Sequence, residues 1–131
     1  MKVVIDTNVI ISAALGSQTC KEAILKALEK YEVIEPKIIS MELDRFYLKM
    51  SQENKNTKKI KAIHDYFRIF LMFAKIENPK KVLDISPDKP DNYFISLALE
   101  YSAIFITGDK DALKYARDMK IDAKLAAEFL E

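Results

Sequence analysis

Two short apolar runs constrain this chain most: Val3-Val4-Ile5 near its start and Ala103-Ile104-Phe105-Ile106 near its end. Neither run alternates apolar with polar residues, as a strand with one wet face does. Each stops at a polar turn that holds an aspartate, Asp6-Thr7-Asn8 after the first and Thr107-Gly108-Asp109 after the second. Strands buried on both faces need helices above and below them, which is the arrangement of a parallel sheet in an α/β protein.

The residues between the runs supply those helices. Helical patterns begin at Asn8 to Leu15 and resume from Cys20 to Tyr31, where Ala23, Ile24, Ala27, Leu28 and Tyr31 share one face. Val33-Ile34 reads as a second strand, stopped by Pro36, and a helix follows from Ser40 to Met50 with Leu43, Phe46, Tyr47 and Met50 on one side. After the polar turn SQENKNTKK, a helix over about Lys58 to Lys75 carries Ile60, Ile63, Phe67, Phe70, Leu71 and Ala74. Asn78 to Pro90 reads as a proline-punctuated loop leading to Asp91, the expected N-cap of a helix through Tyr101. A helix through Met119, a last strand near Ile121 and a helix from Lys124 to Leu130 complete the chain. The expectation is one domain over residues 1–131, an α/β fold in three layers with a short central parallel sheet.

Composition removes several functions. Lys and Arg number 21 against 20 Asp and Glu, so any nucleic-acid binding must come from a local patch. One cysteine, Cys20, and one histidine, His64, leave no zinc site, disulfide or nucleophilic triad to build. Only Gly16 and Gly108 are available, too few for a phosphate-cradling glycine loop. The run Ile69 to Ala74 falls far short of the ~20 residues that span a membrane, and with no charged segment, apolar run and cleavage site at the start, no secretory leader is expected. A cytoplasmic location is expected.

What remains is a set of carboxylates. Asp6 and Asp109 both follow strands, at the carboxyl edge where open α/β sheets bind their ligands, and Asp91 heads a helix expected to reach the same edge. Each aspartate singly has the ordinary reading of a helix cap. Gathered at one edge, they repel one another unless a cation is present. Oxygen-only ligands suit a hard divalent ion such as Mg²⁺, and Asn8 could join them. Metal-assisted hydrolysis of a phosphate ester is the chemistry these residues leave open.

These stretches resemble the PIN domains, metal-dependent nucleases that include the toxin ribonucleases of prokaryotic toxin–antitoxin pairs. IDTNVIISA is similar to the family's first acidic motif, and SPDKPDNYFISLALEYSAIFITGDKDAL is similar to its C-terminal half. The resemblance implies a Rossmann-like sheet and an acidic site of Asp6, Asp91 and Asp109, with Glu42 in SMELDRF as the fourth acid. Asp44 and Glu35 are the competing choices for that fourth place. It further implies that Asn8 and Thr107 orient the acids by hydrogen bonds. Asp88 and Asp111 would hold metal-bound waters, unless they are only caps or surface charges. One or two Mg²⁺ or Mn²⁺ ions would be the cofactor, RNA the substrate, and an antitoxin protein or a homodimer the assembly. A haloacid-dehalogenase phosphatase also begins with a strand and Asp, but needs a second Asp where Asn8 stands. The non-enzymatic alternative is a degenerate PIN domain that serves as a binding scaffold.

Two further stretches carry paired readings. The lysines among Lys49 to Lys61 are either a solvated surface or a phosphate-holding border of the acidic cleft. In IHDYFRIFLMFAKI, the side chains of Ile69, Met72 and Phe73 are either enclosed or part of an exposed interface for a partner.

Overall fold

The computed structural model describes residues 1–131. Five parallel strands form the sheet: β1 (Lys2–Ile5), β2 (Glu32–Glu35), β3 (Lys75–Ile76), β4 (Ile104–Ile106) and β5 (Ala123–Lys124). Seven helices connect and flank them: α1 (Thr7–Ala14), α2 (Gln18–Lys30), α3 (Ile38–Glu53), α4 (Thr57–Phe73), α5 (Lys89–Tyr101), α6 (Lys110–Asp118) and α7 (Ala126–Leu130). In β1, Val3, Val4 and Ile5 are all fully buried. Successive strand side chains point to opposite faces, so both faces of the sheet are covered. That is the three-layer α/β arrangement read from the apolar runs.

The strand order is β3-β2-β1-β4-β5, with β1 at the centre. Val3, Val4 and Ile5 pair with Ile104, Phe105 and Ile106, so β1 and β4 end level with each other. The order of strands reverses between β1 and β4, because the chain builds outward through β2 and β3 before crossing to β4. This reversal opens a crevice at the carboxyl ends of the strands, the usual ligand position in such sheets. Asp6 and Asp109 are the residues that β1 and β4 deliver there. One cluster of 31 buried hydrophobic residues joins sheet and helices. The C-terminal α7 is tied to α2, where Lys26 Nζ donates to the Phe129 carbonyl at 2.6 Å and the Phe129 ring lies 5.4 Å from that of Tyr31.

Three local features differ from the sequence reading. The chain leaves α4 at Phe73, and Lys75–Ile76 joins the sheet edge as β3. Both of its residues are exposed and continue the helical pattern before them, so no burial signal marks the strand. Helix α5 begins at Lys89, within the stretch read as a loop, and its N-cap is Asp88 rather than Asp91. Pro90 lies in the first turn, where its missing N–H costs nothing and its fixed φ suits a helix. Asp91 therefore occupies the first turn, not the cap. The last strand is confined to Ala123–Lys124, and α7 starts at Ala126 instead of Lys124. No helix is long and apolar enough to cross a membrane.

The apolar residues of α4 divide cleanly. Ile60, Ile63, Phe67 and Phe70 are buried, whereas Ile69, Met72 and Phe73 are 54%, 79% and 67% exposed. The enclosed reading of this helix is thus excluded. Ile69 and Phe73 join Leu25, Leu28 and Tyr66 around an apolar groove of about 330 Å³ between α2 and α4.

Candidate functional site

The question at Asp6 is whether its carboxylate does anything beyond capping α1. It occupies the N-cap position, but its side chain makes no capping hydrogen bond. Instead its Oδ2 accepts from Thr107 Oγ1 at 2.8 Å and from Asn8 Nδ2 at 3.1 Å. Its backbone amide donates to the Ile106 carbonyl at 2.8 Å, which extends the β1–β4 ladder by one residue. Asp6 is buried and held from three directions, and both side-chain bonds fall on a single oxygen.

The turn after β4 completes this frame. Thr107 is fully buried, and its hydroxyl accepts from the Asp109 amide at 3.1 Å while donating to Asp6. Asn8 spans the gap in the other direction, because its Oδ1 accepts from the Gly108 amide at 2.9 Å. A Cβ on Gly108 would lie 3.3 Å from that same Oδ1, which accounts for glycine at this close approach. Asn8 and Thr107 thus tie the two strand ends together through hydrogen bonds to Asp6 and to the Gly108 amide. Asp109 does cap its helix, with Oδ1 accepting from the Asp111 amide at 2.9 Å.

Glu42 reaches the site from α3. Its Oε1 accepts a short, 2.6 Å hydrogen bond from the buried Thr7 hydroxyl. Asp44, one of the competing acids, is exposed on a different surface of α3, in a groove with Met41, Arg45 and Gln52. Glu35, the other, is fully buried at the end of β2, and neither carboxylate oxygen has a hydrogen-bond partner. Burial raises its pKa well above the usual 4.5; the Ile5 backbone offsets this only in part, and the Asp6 charge adds to it. Burial thus disfavours the charged form of Glu35, and the Asp6 charge adds to that.

The electrostatics show which acids share a space. Burial pushes Asp6 up from 3.8 to about 6, the Thr107 hydrogen bond pulls against this, and the charges of Glu42 and Asp109 add to it. Asp91 is raised from 3.8 to about 7, first by burial and then by the charges of Asp6, Asp88, Asp109 and Glu42. The charges of four acids, Asp6, Asp88, Asp109 and Glu42, therefore reach Asp91. Asp111 and Asp44 are not among the charges that act on Asp6 or Asp91. The acids meet at the distance of repulsion rather than of shared ligation, since no three His, Cys, Asp or Glu side chains converge closely enough to hold a metal ion.

The comparisons with known proteins bear on this arrangement. A family model described as the PIN domain matches residues 2–111. This chain belongs to the PIN-domain family. An uncharacterized protein of Methanocaldococcus jannaschii is 31% identical over 150 residues, an alignment that covers 100% of this chain and 90% of the relative. Among solved structures, the PIN domain resembles VapBC2 of Rickettsia felis, solved bound to a DNA fragment from its promoter. The identity is 15%, the TM-score 0.68, and the match covers 95% of this chain and 98% of that one. It also resembles PAE2754 of Pyrobaculum aerophilum at 14% identity and a TM-score of 0.73, over 99% and 92% of the two chains. At such identities the structural likenesses establish the fold.

Three contributors to the site have no mark in the sequence reading. Thr7 stands inside the Asp-Thr-Asn stretch, and its buried hydroxyl anchors Glu42. Asn92 is buried, and its side chain accepts from the Ile85 and Ser86 amides at 3.1 and 2.7 Å and donates to the Ser86 carbonyl at 3.1 Å. Ser96, one turn further along α5, accepts from the Leu83 amide at 2.9 Å. Asn92 and Ser96 pin the loop that delivers Asp88 and Asp91. Two polar residues at i and i+4 on the otherwise buried face of α5 were the available signal.

Proposed function

We propose that this PIN domain is a divalent-metal-dependent ribonuclease that hydrolyses RNA phosphodiester bonds, acting as the toxin of a toxin–antitoxin pair. One observation supports the reading: Asp6 is fixed in a buried position with both hydrogen bonds on Oδ2, the charges of Glu42 and Asp109 act on it, and its own charge acts with theirs on Asp91. Asp91 is raised to about 7 by burial first and then by the charges of Asp6, Asp88, Asp109 and Glu42, and a cation between such acids would relieve that repulsion. The donor set is all oxygen, which suits Mg²⁺ or Mn²⁺. Mg²⁺ takes only one or two carboxylates directly and keeps waters elsewhere, so a cluster without three converging ligands still fits it.

Asp6, Glu42, Asp91 and Asp109 are the residues that would hold one or two ions. When bound, the metal lowers the pKa of water, polarises the phosphate and stabilises the leaving oxygen. The protein's own part is positional. Thr107 and Asn8 fix the Asp6 carboxylate, Thr7 fixes Glu42, and Asn92 holds the loop before Asp91. Asp88 lies close enough to act on Asp91 and would hold an outer water; the Asp111 amide donates to the Asp109 carboxylate that caps α6.

An antitoxin protein is the proposed partner, supported by the likeness to VapBC2 and by the exposed apolar face of Ile69, Met72 and Phe73. Self-association as a homodimer would use exposed apolar surface in the same way. The scaffold reading draws on a different observation, the absence of three converging metal ligands. Incubation of the chain with unstructured RNA decides between enzyme and scaffold. The enzyme cuts with Mn²⁺ or Mg²⁺, stops with chelator, and is silent as Asp6→Asn. Cleavage by Asp6→Asn at the parent rate overturns the acidic-site reading.

A further inference from the structure

The acidic centre repels the phosphates it is proposed to cut, and the net charge of +1 supplies no general attraction. Something local must hold the strand. Helix α3 carries Glu42, Arg45, Phe46 and Lys49 at i, i+3, i+4 and i+7, a spacing that puts all four on one face. The structure bears this out as a groove of about 220 Å³ lined by those four residues together with Thr7 and Ile11 of α1. Glu42 and Thr7 are the pair joined by the 2.6 Å hydrogen bond, so the groove opens directly from the acidic site. Arg45 and Lys49 also line the neighbouring groove of about 480 Å³ on the outer side of the helix.

The charges along this path are free. From Arg45 to Lys61 the chain has six cationic residues (Arg45, Lys49, Lys55, Lys58, Lys59 and Lys61) and one acid, Glu53. All six cations are exposed, and none takes part in any of the three ion pairs of the molecule. Surface lysines are commonly just solvated, but Arg45 and Lys49 differ from the rest by their place. They stand one and two turns beyond Glu42, over a floor made by Phe46 and Ile11.

We infer that the α3 face of Arg45, Phe46 and Lys49 is the subsite for the nucleotides flanking the cleaved bond, in single-stranded rather than duplex RNA. This rests on the ribonuclease reading above. Arg45 and Lys49 hold the backbone phosphates, and Phe46 with Ile11 receives an unstacked base. Cations over an apolar wall are the chemistry of single-strand binding, because a duplex hides its bases from such a wall.

The test is fluorescence anisotropy with a short labelled single-stranded RNA of mixed sequence, titrated across salt concentrations in the Asp6→Asn background. Each phosphate contact on a single strand contributes about 0.7 to the slope of log affinity against log salt, so Arg45→Ala/Lys49→Ala lowers that slope by about 1.4 and weakens binding by roughly tenfold or more. The charge-matched control Lys21→Ala/Lys30→Ala, on α2, leaves slope and affinity unchanged. An unchanged slope in Arg45→Ala/Lys49→Ala, or an equal fall in the control, overturns the subsite while leaving the ribonuclease reading intact. No binding of the RNA by the parent background overturns the ribonuclease reading itself. Circular dichroism confirms that each double variant is folded, as expected for exposed side chains.

Discussion

Replacing Asp6 by Asn should stabilise the metal-free protein while abolishing its activity. The carboxamide oxygen can take the place of Oδ2 and keep both hydrogen bonds, from Thr107 and Asn8. What the change removes is a buried negative charge facing Glu42 and Asp109. In the folded chain Asp6 ionises at about 6 instead of 3.8. At about 1.4 kcal/mol for each pH unit between those values, its ionisation opposes folding by about 3 kcal/mol at pH 7.5. The sign follows from proton counting. Between 3.8 and about 6 the unfolded chain has released the proton and the folded chain retains it, so stability falls as pH rises through that window. Below it the two proteins should be equally stable. The stronger hydrogen bond from Thr107 to the charged form is already contained in the shifted value, so the net gain is about 3 kcal/mol at pH 7.5. Urea unfolding of both proteins at pH 4 and pH 7.5, with chelator and then with Mn²⁺, measures this. The gain should appear only at pH 7.5, and Mn²⁺ should stabilise the parent far more than Asp6→Asn. A variant less stable than the parent at pH 7.5 in chelator, or a gain that persists undiminished at pH 4, would refute the reasoning.

Three further substitutions probe the surroundings. Glu35→Met should stabilise the chain increasingly as pH rises above 4.5, because the folded parent holds a proton there that the unfolded chain has released; denaturant midpoints across pH show this as a flatter profile. Thr7→Val keeps the shape but removes the donor to Glu42, and cleavage should fall by roughly 10- to 100-fold with the fold retained. Asn92→Ala strands the Ile85 and Ser86 amides, and thermal unfolding should show a loss of about 2 kcal/mol.

Which features were legible depends on whether their cause is local. The strands β1 and β4 announce themselves because burial on both faces leaves an unbroken apolar run, and the aspartates that follow are placed by chain continuity alone. Asp6 and Asp109 were therefore readable as neighbours at one sheet edge. β3 was not, since two exposed residues gain their strand pairing from Ile34 and Glu35, about forty positions earlier in the chain. The start of α5 was misplaced because Pro90 reads as the end of a loop, although a first helical turn accepts it equally well. Glu42 came from the family resemblance, as nothing around SMELDRF fixes it; its place beside Asp6 depends on the Thr7 hydrogen bond across 35 residues. Asn92 escaped notice for the same reason, because the amides it satisfies become visible only when the loop is folded over it.

The central claim is that Asp6, Glu42, Asp91 and Asp109 form a divalent-cation site. Anomalous diffraction from a crystal soaked in Mn²⁺ measures it directly. A peak among Asp6, Asp91 and Asp109, absent in Asp6→Asn, is the expected result. A parent crystal with no peak there, or with Mn²⁺ bound only elsewhere on the surface, would contradict the account.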